Sequence, residues 1–599
     1  MNHRIFGRAL LGASALALTA FAAPAAAQRV ERIVAFGDSY ADSGNAVRLG
    51  LVPAQLLPLY PTGRFTGGTN YVDTLSQLLN APVQNFAIGG ARANPDLLFE
   101  IGTFTAGGGG VFPVVTPSFG PRDLVTVSIG GNDARAYGSA PGASVAGAAA
   151  AAAPAVAAAT SGLNTLVARG APTISFLAGN TGELPEIAAN PAAAAIRTAY
   201  SNAFNQGIQN VLAGYAANGV IVHYLDLSTM LAQVRANPSA YGISALNCPA
   251  FPNTSCVVNA GAGFLFYGDL LHPTSQGSAI IARYVAAQLA APLTLQAPSD
   301  LGHDTARQFG RTLSSRVDLS AVRSGGEMLG GARLFVVGDG FSRDVGDSDD
   351  NKAFDVDGAG VTAGAEMGLA GGVAGLALNV SRPRVRFGDE SSWLDGRSVQ
   401  IGGYAGASFG GAFAQGHLGF GRDRHRIRRL GVVEGMSARA NGNHLTAGVK
   451  GGYLVPLGGL NAGPVVALDL TRARTNGYSE GGDPTLALNV GRQRLRSVTG
   501  ALGVEARPNL GAELRPFVSA MVERDFTGDG RSISFAQATS PGIVNRWDIA
   551  GAKETYGRLS GGGSATLFGG MSIDAAVSTT VGRDAGNEVS ARVGLRFGF

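Results

Sequence analysis

Residues 33–45 read IVAFGDSYADSGN, and this stretch sets the architecture of the N-terminal half. An apolar run of strand length ends in Gly-Asp-Ser, and a polar turn follows it. Ser39 therefore stands where a buried strand opens into a loop. Two interpretations are open at this point: a nucleophile presented at the edge of a sheet, or a hydroxyl in a polar turn.

Four further apolar runs repeat this layout between residues 80 and 230, separated by helical stretches. They are VQNFAIGG (83–90), DLVTVSIGGND (123–133), PTISFLAGN (172–180) and VIVHYLDL (220–227). Short continuous apolar runs alternating with helices are typical of a parallel sheet buried on both faces. The pattern predicts a doubly wound α/β sandwich with right-handed crossovers. Three of the five runs end in Gly-rich turns, and in such sheets active sites gather at the carboxyl ends of the strands.

The N-terminus has the composition of a secretory signal peptide. Arg4 and Arg8 precede the apolar run ALLGASALALTAFAA, and APAAA ending at Ala27 provides small residues for cleavage. No later segment has the composition of a transmembrane helix. The nearest, ASVAGAAAAAAPAVAAAT (143–160), is Ala-rich, contains a proline and lacks a basic flank, so it predicts a helix of a soluble domain.

After about residue 330 the hydrophobic period becomes two. In the last segment Val589, Val593 and Phe597 belong to an apolar face that ends at Phe599, whereas Arg592 lies on the polar face. Roughly a dozen such segments of about ten residues fit, the length of a tilted strand that crosses a bilayer. A soluble β-sandwich is the alternative. The export signal and the basic residues within the polar face favour an outer-membrane barrel, and this half resembles the translocator of autotransporters.

A chain of 599 residues is too long for one core. The predicted limits are 1–27 for the signal peptide, 28–295 for the α/β passenger, 296–328 for a linker and pore helix, and 329–599 for an all-β transmembrane barrel of about 12 strands.

Charges and cysteines restrict the partners and ligands. Residues 28–295 carry 11 Lys and Arg against 12 Asp and Glu, and the rest of the mature chain carries 33 against 30. This balance predicts that neither half has a dense basic face, which argues against a nucleic-acid partner. Cys248 and Cys256 predict a local disulfide in an exported chain, with two unpaired thiols as the alternative. Too few Cys and His ligands lie nearby for a metal site.

If Ser39 is a nucleophile, a histidine must take its proton. Among the seven histidines, His272 in YGDLLHPTSQG is the candidate, because Asp269 three residues earlier can hold one imidazole nitrogen and leave the other for Ser39. The alternative for His272 is a helix-entry residue before Pro273. His223 is interpreted as a core or strand-edge residue. The remaining histidines fall in the signal peptide, the linker helix and the barrel.

Acyl transfer also needs donors for the oxyanion of the transition state. The glycine turns after two neighbouring predicted strands offer the backbone N–H of Gly90 and the side-chain amide of Asn132, together with the N–H of Ser39 itself. Singly, Gly90 is more often a turn glycine and Asn132 a helix cap. Asp38 and Asp42 are interpreted as residues that organise the turn and the loop.

Four blocks in order carry a family resemblance: FGDSYADSGN (36–45), NFAIGGA (85–91), GGND (130–133) and DLLHP (269–273). Together they resemble the GDSL, or SGNH-hydrolase, family over residues 33–273. The resemblance implies a flavodoxin-like sandwich without cofactor or metal. It implies Ser39 as nucleophile, His272 as base, Asp269 as orienting acid, and Gly90 with Asn132 as oxyanion hole. The spacing after Asn85 favours Gly90 over Gly89.

The whole chain is similar to autotransporter esterases with a GDSL passenger. We therefore expect a serine esterase or lipase that hydrolyses fatty acyl carboxylic esters. Its passenger would be exposed at the cell surface, its barrel would lie in the outer-membrane bilayer, and the resemblance implies insertion by the barrel-assembly machinery. The alternatives are an acetylesterase acting on surface polysaccharide and a non-enzymatic adhesin passenger. No 20-to-30-residue β repeat of the adhesin type is visible in the sequence.

Overall fold

The computed structural model describes residues 30–324, 331–511, 513–527, 530–551, 553–567 and 570–598. The predicted signal peptide and the terminal Phe599 lie outside these residues. Within them the chain forms an α/β unit, a long helix and a closed β-barrel, in that order.

A five-stranded sheet is the centre of the α/β unit, and all of its strand pairs are parallel. Its strands are β1 (Arg32–Gly37), β2 (Val83–Asn85), β3 (Asp123–Ser128), β4 (Thr173–Ala178) and β5 (Ile221–Asp226). Their order β2-β1-β3-β4-β5 is that of a flavodoxin-like doubly wound sheet. All five predicted strands are present, and the order brings the carboxyl ends of β1, β2 and β3 together.

Helices cover both faces of this sheet. In chain order they are α1 (Asn45–Arg48), α2 (Tyr71–Leu79), α3 (Leu98–Thr105), α4 (Gly131–Gly138), α5 (Ala148–Ala168), α6 (Pro191–Ala217), α7 (Leu227–Ala236), α8 (Ser255–Val258) and α9 (Ser275–Ala290). The Ala-rich α5 is long and apolar enough to cross a membrane, but it lies against α6 and buries Leu163 and Leu166 in the core beneath the sheet. It is a helix of the α/β unit, as predicted.

A short parallel pair, β6 (Ala245–Asn247) and β7 (Phe264–Phe266), lies beside the sheet. In the segment between these strands, Cys248 and Cys256 are joined by a disulfide with their Cα atoms 6.1 Å apart. Both cysteines are buried against Tyr267.

The C-terminal half is a closed antiparallel barrel of 12 strands. Its strands are β8 (Ala332–Val345), β9 (Phe354–Leu369), β10 with β11 (Gly372–Ser381 and Arg384–Phe387), β12 (Ser392–Phe409), β13 (Ala412–Arg429), β14 (Met436–Tyr453) with the short β15 (Val455–Pro456), β16 (Leu460–Thr475), β19 (Gln493–Pro508), β20 (Leu514–Asp525), β23 (Thr555–Thr566), β24 (Met571–Val581) and β25 (Glu588–Gly598). β25 pairs with β8 and closes the ring.

Side chains alternate along the barrel strands between lipid and lumen. On β25, Val589 and Val593 face outward, and about half of each side chain is exposed. Ser590 and Arg596 are buried on the lumen side. An exposed apolar outer face with a polar interior is the pattern of a membrane barrel, not of a soluble sandwich.

Helix α10 (Ala297–Asp318) lies within the barrel and packs against its strands. Its polar side chains meet charges on the lumen wall: the guanidinium of Arg316 lies 2.9 Å from Asp574 and 3.3 Å from Glu366. Arg343 of β8 bonds Asp300 and Asp304 of the helix at 3.1 and 2.6 Å. A charged lumen therefore holds the helix through paired groups.

Loops at one end of the barrel hold the α/β unit. They form a small sheet of β17 (Tyr478–Ser479), β18 (Leu488–Val490), β21 (Arg531–Gln537) and β22 (Asn545–Ile549). The Asn545 amide accepts from the N–H of Val222 at 2.7 Å and donates to its carbonyl at 2.9 Å, and Gln537 accepts from the N–H of Tyr224 at 2.8 Å. These side chains satisfy the free backbone groups of β5, an edge strand of the parallel sheet.

One expectation from the charge balance is wrong. The outward face of the barrel at the passenger end carries a dense basic area on β12, β13 and β14, comprising Arg397, Arg422, Arg424, Arg426, Arg428 and Arg439. Counting charges over a whole half hides this area, because acidic side chains of the same half point into the lumen.

Candidate active site

Ser39 lies two residues after Gly37, the last residue of β1, where the backbone turns sharply. Gly37 has φ +120°, and a Cβ there would lie 2.0 Å from the carbonyl oxygen of Ser128 on β3. Only glycine fits this close approach of two strand ends. The turn raises Ser39 above the carboxyl edge of the sheet, with 7% of its surface exposed.

His272 and Asp269 lie on the loop between β7 and α9, and this loop brings both to Ser39. The Nε2 atom of His272 is 2.7 Å from Ser39 Oγ, and its Nδ1 atom is 2.6 Å from Asp269 Oδ2. The imidazole thus bridges hydroxyl and carboxylate through its two nitrogens. This is the geometry in which a base removes the serine proton and a carboxylate stabilises the imidazolium that forms.

The Asp269 carboxylate is saturated with donors. Its Oδ1 atom accepts the backbone N–H groups of Leu271 and His272 at 2.9 and 3.0 Å, and its Oδ2 atom accepts the phenol of Tyr60 at 2.8 Å in addition to the imidazole. Burial by itself raises the pKa of Asp269, but the imidazole and the hydrogen bonds outweigh burial and hold the pKa below its usual value. Asp269 is therefore ionised throughout the neutral range.

The two predicted oxyanion donors lie next to each other. The side-chain amide of Asn132, on the first turn of α4, donates to the carbonyl of Ala91 at 3.0 Å, so it sits against the glycine turn after β2. The N–H of Gly89 donates to Asp42 at 2.8 Å and is occupied. Within the described part of the chain, the N–H groups of Gly90 and Ser39 have no acceptor. The contacts therefore favour Gly90 over Gly89.

Asp42 organises the loop after Ser39, as predicted. Its carboxylate accepts the N–H groups of Gly44, Asn45 and Ala46 as well as that of Gly89. It thereby ties the loop that carries Ser39 to the glycine turn that carries Gly90.

Asp38 lies beneath Ser39 and also has an organising role. It accepts from the hydroxyl of Ser128 at 3.0 Å and from the N–H of Tyr40 at 3.1 Å. Burial raises the pKa of Asp38 to about 6. Because the folded pKa lies above that of the unfolded chain, the stability that Asp38 contributes is present below about pH 4 and is lost as the pH rises through about 6.

Two family models match the chain. Residues 33–285 match the model of GDSL-like Lipase/Acylhydrolase, and residues 334–578 match that of the Autotransporter beta-domain. The chain joins a GDSL-type domain to an autotransporter β-domain. The two matched segments coincide with the α/β unit and with the barrel.

Curated relatives include Esterase EstA of Pseudomonas aeruginosa and of Pseudomonas putida. Each is 24% identical over an alignment of 412 residues that covers 64% of this chain. The chain spans 62% of the length of these relatives. The phosphatidylcholine-sterol acyltransferase of Aeromonas hydrophila is 28% identical over 253 residues, 38% of this chain and 68% of that protein. Among solved structures, the translocator domain of NalP from Neisseria meningitidis is 19% identical with a TM-score of 0.41, covering 51% of this chain and 100% of that one.

A pocket opens beside Ser39 in the GDSL-type domain. Its walls combine the polar groups of the site with an apolar side formed by five leucines: Leu177, Leu184, Leu227, Leu231 and Leu271. The mouth carries Arg135, whose guanidinium makes a bidentate pair with Glu186 at 2.8 and 2.9 Å. The pocket therefore offers an apolar wall next to Ser39 and, at Arg135, a guanidinium that shares the Glu186 carboxylate with Arg197.

The sequence did not single out Glu100, which lies fully buried on α3. Its carboxyl accepts the N–H of Gly37 at 2.6 Å and that of Ile88 at 3.1 Å. Burial raises the pKa of Glu100 well above its usual value. The residue joins the strand end before Ser39 to the glycine turn. An acidic residue within the apolar run NPDLLFEIGTF is the signal that points to it.

Two aromatic residues of the loop after α1 were also missed. Tyr60 follows a short 3₁₀ helix (Ala54–Leu59) and donates to Asp269, and the ring of Phe65 lies 5.1 Å from the imidazole of His272. The apolar composition of this loop hides their role, because nothing in it indicates which aromatic side chain turns inward.

The remaining described histidines lie in the core, barrel and helix positions that the sequence predicts. His223 is buried in β5, and burial lowers its pKa to about 4, so it is a neutral core residue. His417, His425 and His444 belong to barrel strands, and His303 lies on the pore helix. His272 is the only one of these histidines that contacts Ser39.

Proposed function

We propose that the chain is a serine esterase of the GDSL type that cleaves carboxylic esters through an acyl-enzyme. One observation carries the proposal: His272 bridges Ser39 and Asp269 at 2.7 and 2.6 Å, and the backbone N–H groups of Ser39 and Gly90 have no acceptor among the described residues. A nucleophile, a base, an orienting acid and free donors at one pocket are the requirements of acyl transfer.

The proposed reaction has two halves. Ser39 Oγ attacks the ester carbonyl while its proton passes to His272 Nε2, and the oxyanion is held by the N–H groups of Ser39 and Gly90 and by the Asn132 amide. The C–O bond to the alcohol then breaks, and His272 returns the proton to the leaving alcohol. Water attacks the acyl-enzyme by the same route, which releases the acid and restores Ser39. No metal or cofactor takes part in these steps.

The apolar wall of the pocket favours a substrate whose acyl part is a fatty acyl chain. Five leucine side chains are a surface for methylene groups, and each buried methylene contributes about 0.8 kcal/mol. An acetylesterase would make little use of this wall. The curated relatives named Esterase EstA support ester hydrolysis, and carboxylic esters of short to medium fatty acids are the proposed substrates.

The autotransporter β-domain gives the proposed enzyme its location. The barrel lies in the outer membrane, and its loops hold the GDSL-type domain at one end, which we assign to the cell surface. The proposed partners are the lipid bilayer and an ester or lipid substrate. Insertion by the barrel-assembly machinery belongs to the same proposal and rests on the family of the β-domain.

Intact cells that express the full chain test activity and location together. Wild type and Ser39→Ala are assayed on p-nitrophenyl esters from acetate to palmitate, with surface display checked by an antibody to the passenger. Loss of the nucleophile is expected to lower kcat on the order of 10⁴- to 10⁶-fold. Ser139→Ala, at an exposed serine after α4, is the matched control and keeps full activity.

A displayed Ser39→Ala variant with full activity would show that the site is assigned wrongly. Activity that rises from acetate to longer esters supports the leucine wall as an acyl site, and activity confined to acetate supports the acetylesterase instead. A displayed wild-type protein that cleaves none of the esters contradicts the proposed function.

A further inference from the structure

The outward face of the barrel at the passenger end carries a cluster of arginines that the proposed enzyme does not use. We call it the arginine surface and define it by Arg397 on β12, Arg422, Arg424, Arg426 and Arg428 on β13, and Arg439 on β14. All six are exposed. No ion pair joins any of them to an acidic group among the described residues, and only Arg428 lies over an aromatic ring, that of Trp393.

Like charges face each other across these strands. Arg397 is the cross-strand partner of Arg424, and Arg426 is the partner of Arg439. Cβ atoms of such partners are about 4.5–5.5 Å apart, and like charges at that distance are destabilising. Asp395, opposite Arg426, is the acidic residue of this ladder. The arginines therefore repel one another unless anions from outside the chain lie between them.

The pattern continues around the wall. Arg472 and Arg474 of β16 are the partners of Arg496 and Arg494 of β19, which makes two further like-charged pairs. In the other direction, beyond β11, the same end of β9 and β8 carries Asp355 and Asp344 instead. Basic residues are therefore a local property of one side and not a general feature of the rim.

The arginine surface begins where the lipid-facing band ends. On β13, Leu418 and Phe420 are exposed on the outer face, and the next outward residue is Arg422. On β12, Ile401 and Val399 are followed in the same way by Arg397. Since two residues of a strand advance about 6.7 Å, the first arginines lie within one step of the hydrocarbon boundary, at the level of lipid headgroups.

We propose that the arginine surface binds the phosphate groups of anionic lipid headgroups in the outer leaflet around the barrel. The guanidinium fork matches two phosphate oxygens, and a phosphate between two facing arginines replaces their repulsion by attraction. Continuity with the apolar band favours lipid over a soluble polyanion, because the acyl chains of the same molecule contact Leu418 and Phe420. The proposal rests on the membrane location and does not depend on esterase activity.

The test uses the full chain in mixed micelles of dodecyl maltoside with two ether-linked lipids, phosphatidic acid and phosphatidylcholine. Ether lipids contain no acyl ester that the proposed esterase can cleave. After repurification, mass spectrometry measures how strongly each lipid is retained. The variant R424Q/R426Q/R439Q is compared with R92Q/R169Q/R283Q, which removes three exposed arginines of the α/β unit and changes the net charge equally.

Wild type is expected to retain phosphatidic acid over phosphatidylcholine, and the barrel variant to lose this preference by about fivefold or more, since each basic residue near an anionic surface strengthens attraction several-fold. The passenger variant keeps the preference. Heat-modifiable migration on gels verifies that each barrel is folded, and R424K/R426K/R439K, which keeps the charge, is expected to retain most of the preference.

Four results would overturn the proposal. Wild type could retain both lipids equally, or both triple-Gln variants could lose the preference to the same extent. The third is complete displacement of phosphatidic acid by an excess of inorganic phosphate, which identifies a free anion as the ligand. Binding of a single-stranded oligonucleotide in place of lipid, lost only in the barrel variant, would likewise replace the lipid by nucleic acid.

Discussion

Serine, histidine and aspartate lie in line at two places in the described part of this molecule. In the GDSL-type domain His272 joins Ser39 to Asp269. In the barrel His303 of the pore helix has its Nε2 atom 2.7 Å from Ser497 Oγ and its Nδ1 atom 3.3 Å from Asp304. Burial does not separate the two sets, because Ser39 exposes 7% of its surface and Ser497 exposes 5%.

The surroundings separate them. Ser39 stands on a turn at a strand end, beside a pocket and free N–H groups. Ser497 lies within β19, and the N–H of the next residue, Val498, donates to Thr527 at 2.9 Å. Asp304 also bonds Arg343 at 2.6 Å, so its charge is shared with the lumen wall. A serine, histidine and aspartate in line therefore do not make a catalytic site by themselves. The site also needs free hydrogen-bond donors for the oxyanion and room for a substrate.

The largest difference between the two sets is expected on removing the carboxylate charge. Asp269→Asn leaves a group of the same shape but favours the wrong imidazole tautomer, which is expected to lower kcat roughly 10⁴-fold. Asp304→Asn, the matched change in the barrel, keeps Arg343 paired with Asp300 and leaves kcat unchanged. Assays on p-nitrophenyl butyrate with purified full-length proteins compare them, and equal effects of the two changes would contradict the assignment.

The next largest effect is expected at the donors beside Ser39; in the barrel set the N–H of Val498 is already bonded to Thr527. Asn132→Ala removes one oxyanion donor and is expected to lower kcat about 10²- to 10³-fold with KM little changed, because the interaction strengthens in the transition state. Asn180→Ala removes another amide of the same pocket, one that bonds Glu183 and the N–H of Gly182, and is the control. A loss of equal size in both variants argues against Asn132 as a donor.

The fold and the centre of the site could be predicted from the sequence because both depend on local patterns. Apolar runs ending in glycine turns define the strands, and the residues that follow them define Ser39, Gly90 and Asn132. The alternation of the C-terminal half likewise defines the barrel. These patterns can be recognised in the sequence without knowledge of contacts between distant segments.

What the sequence did not reveal depends on contacts between distant segments. Tyr60 and Asp269 are 209 residues apart, and no local pattern brings them together. The arginine surface arises because arginines of several strands lie at one level of the barrel wall, whereas acidic side chains from other parts of the barrel, such as Glu366, Glu505 and Asp574, face the lumen. Net charge averages over both faces and therefore conceals it.

A smaller effect is expected from Tyr60, whose phenol donates a hydrogen bond to Asp269. Burial raises the pKa of Tyr60, so its phenol stays protonated and donates to Asp269. Tyr60→Phe leaves more negative charge facing the imidazole, which stabilises imidazolium. The acid limb of kcat/KM against pH is then expected to move to higher pH by roughly half a unit, since hydrogen bonds to charged groups shift pKa values on this scale.

Tyr267→Phe is the control for this prediction. Its phenol donates to the carbonyl of Leu59 at 2.8 Å, so it orders the same loop without contacting Asp269. If Tyr60 acts only by packing, both variants lower activity and neither moves the acid limb. A shift of the acid limb in Tyr60→Phe alone identifies Tyr60 as a positioning residue that acts through Asp269 on His272.

The smallest effect is expected from Ser497→Ala, which removes the hydroxyl of the barrel set. The kcat/KM should equal that of wild type within about twofold, and its acid limb should fall at the same pH. Changes to sites with no shared partners are nearly independent. The lost hydrogen bond to His303 is worth about 1 kcal/mol of barrel stability and is read from the temperature at which gel migration changes. Residual ester cleavage in Ser39→Ala that disappears in Ser39→Ala with Ser497→Ala would show instead that the barrel set also reaches substrate. The contrast between the two sets would then lie in access and not in donors.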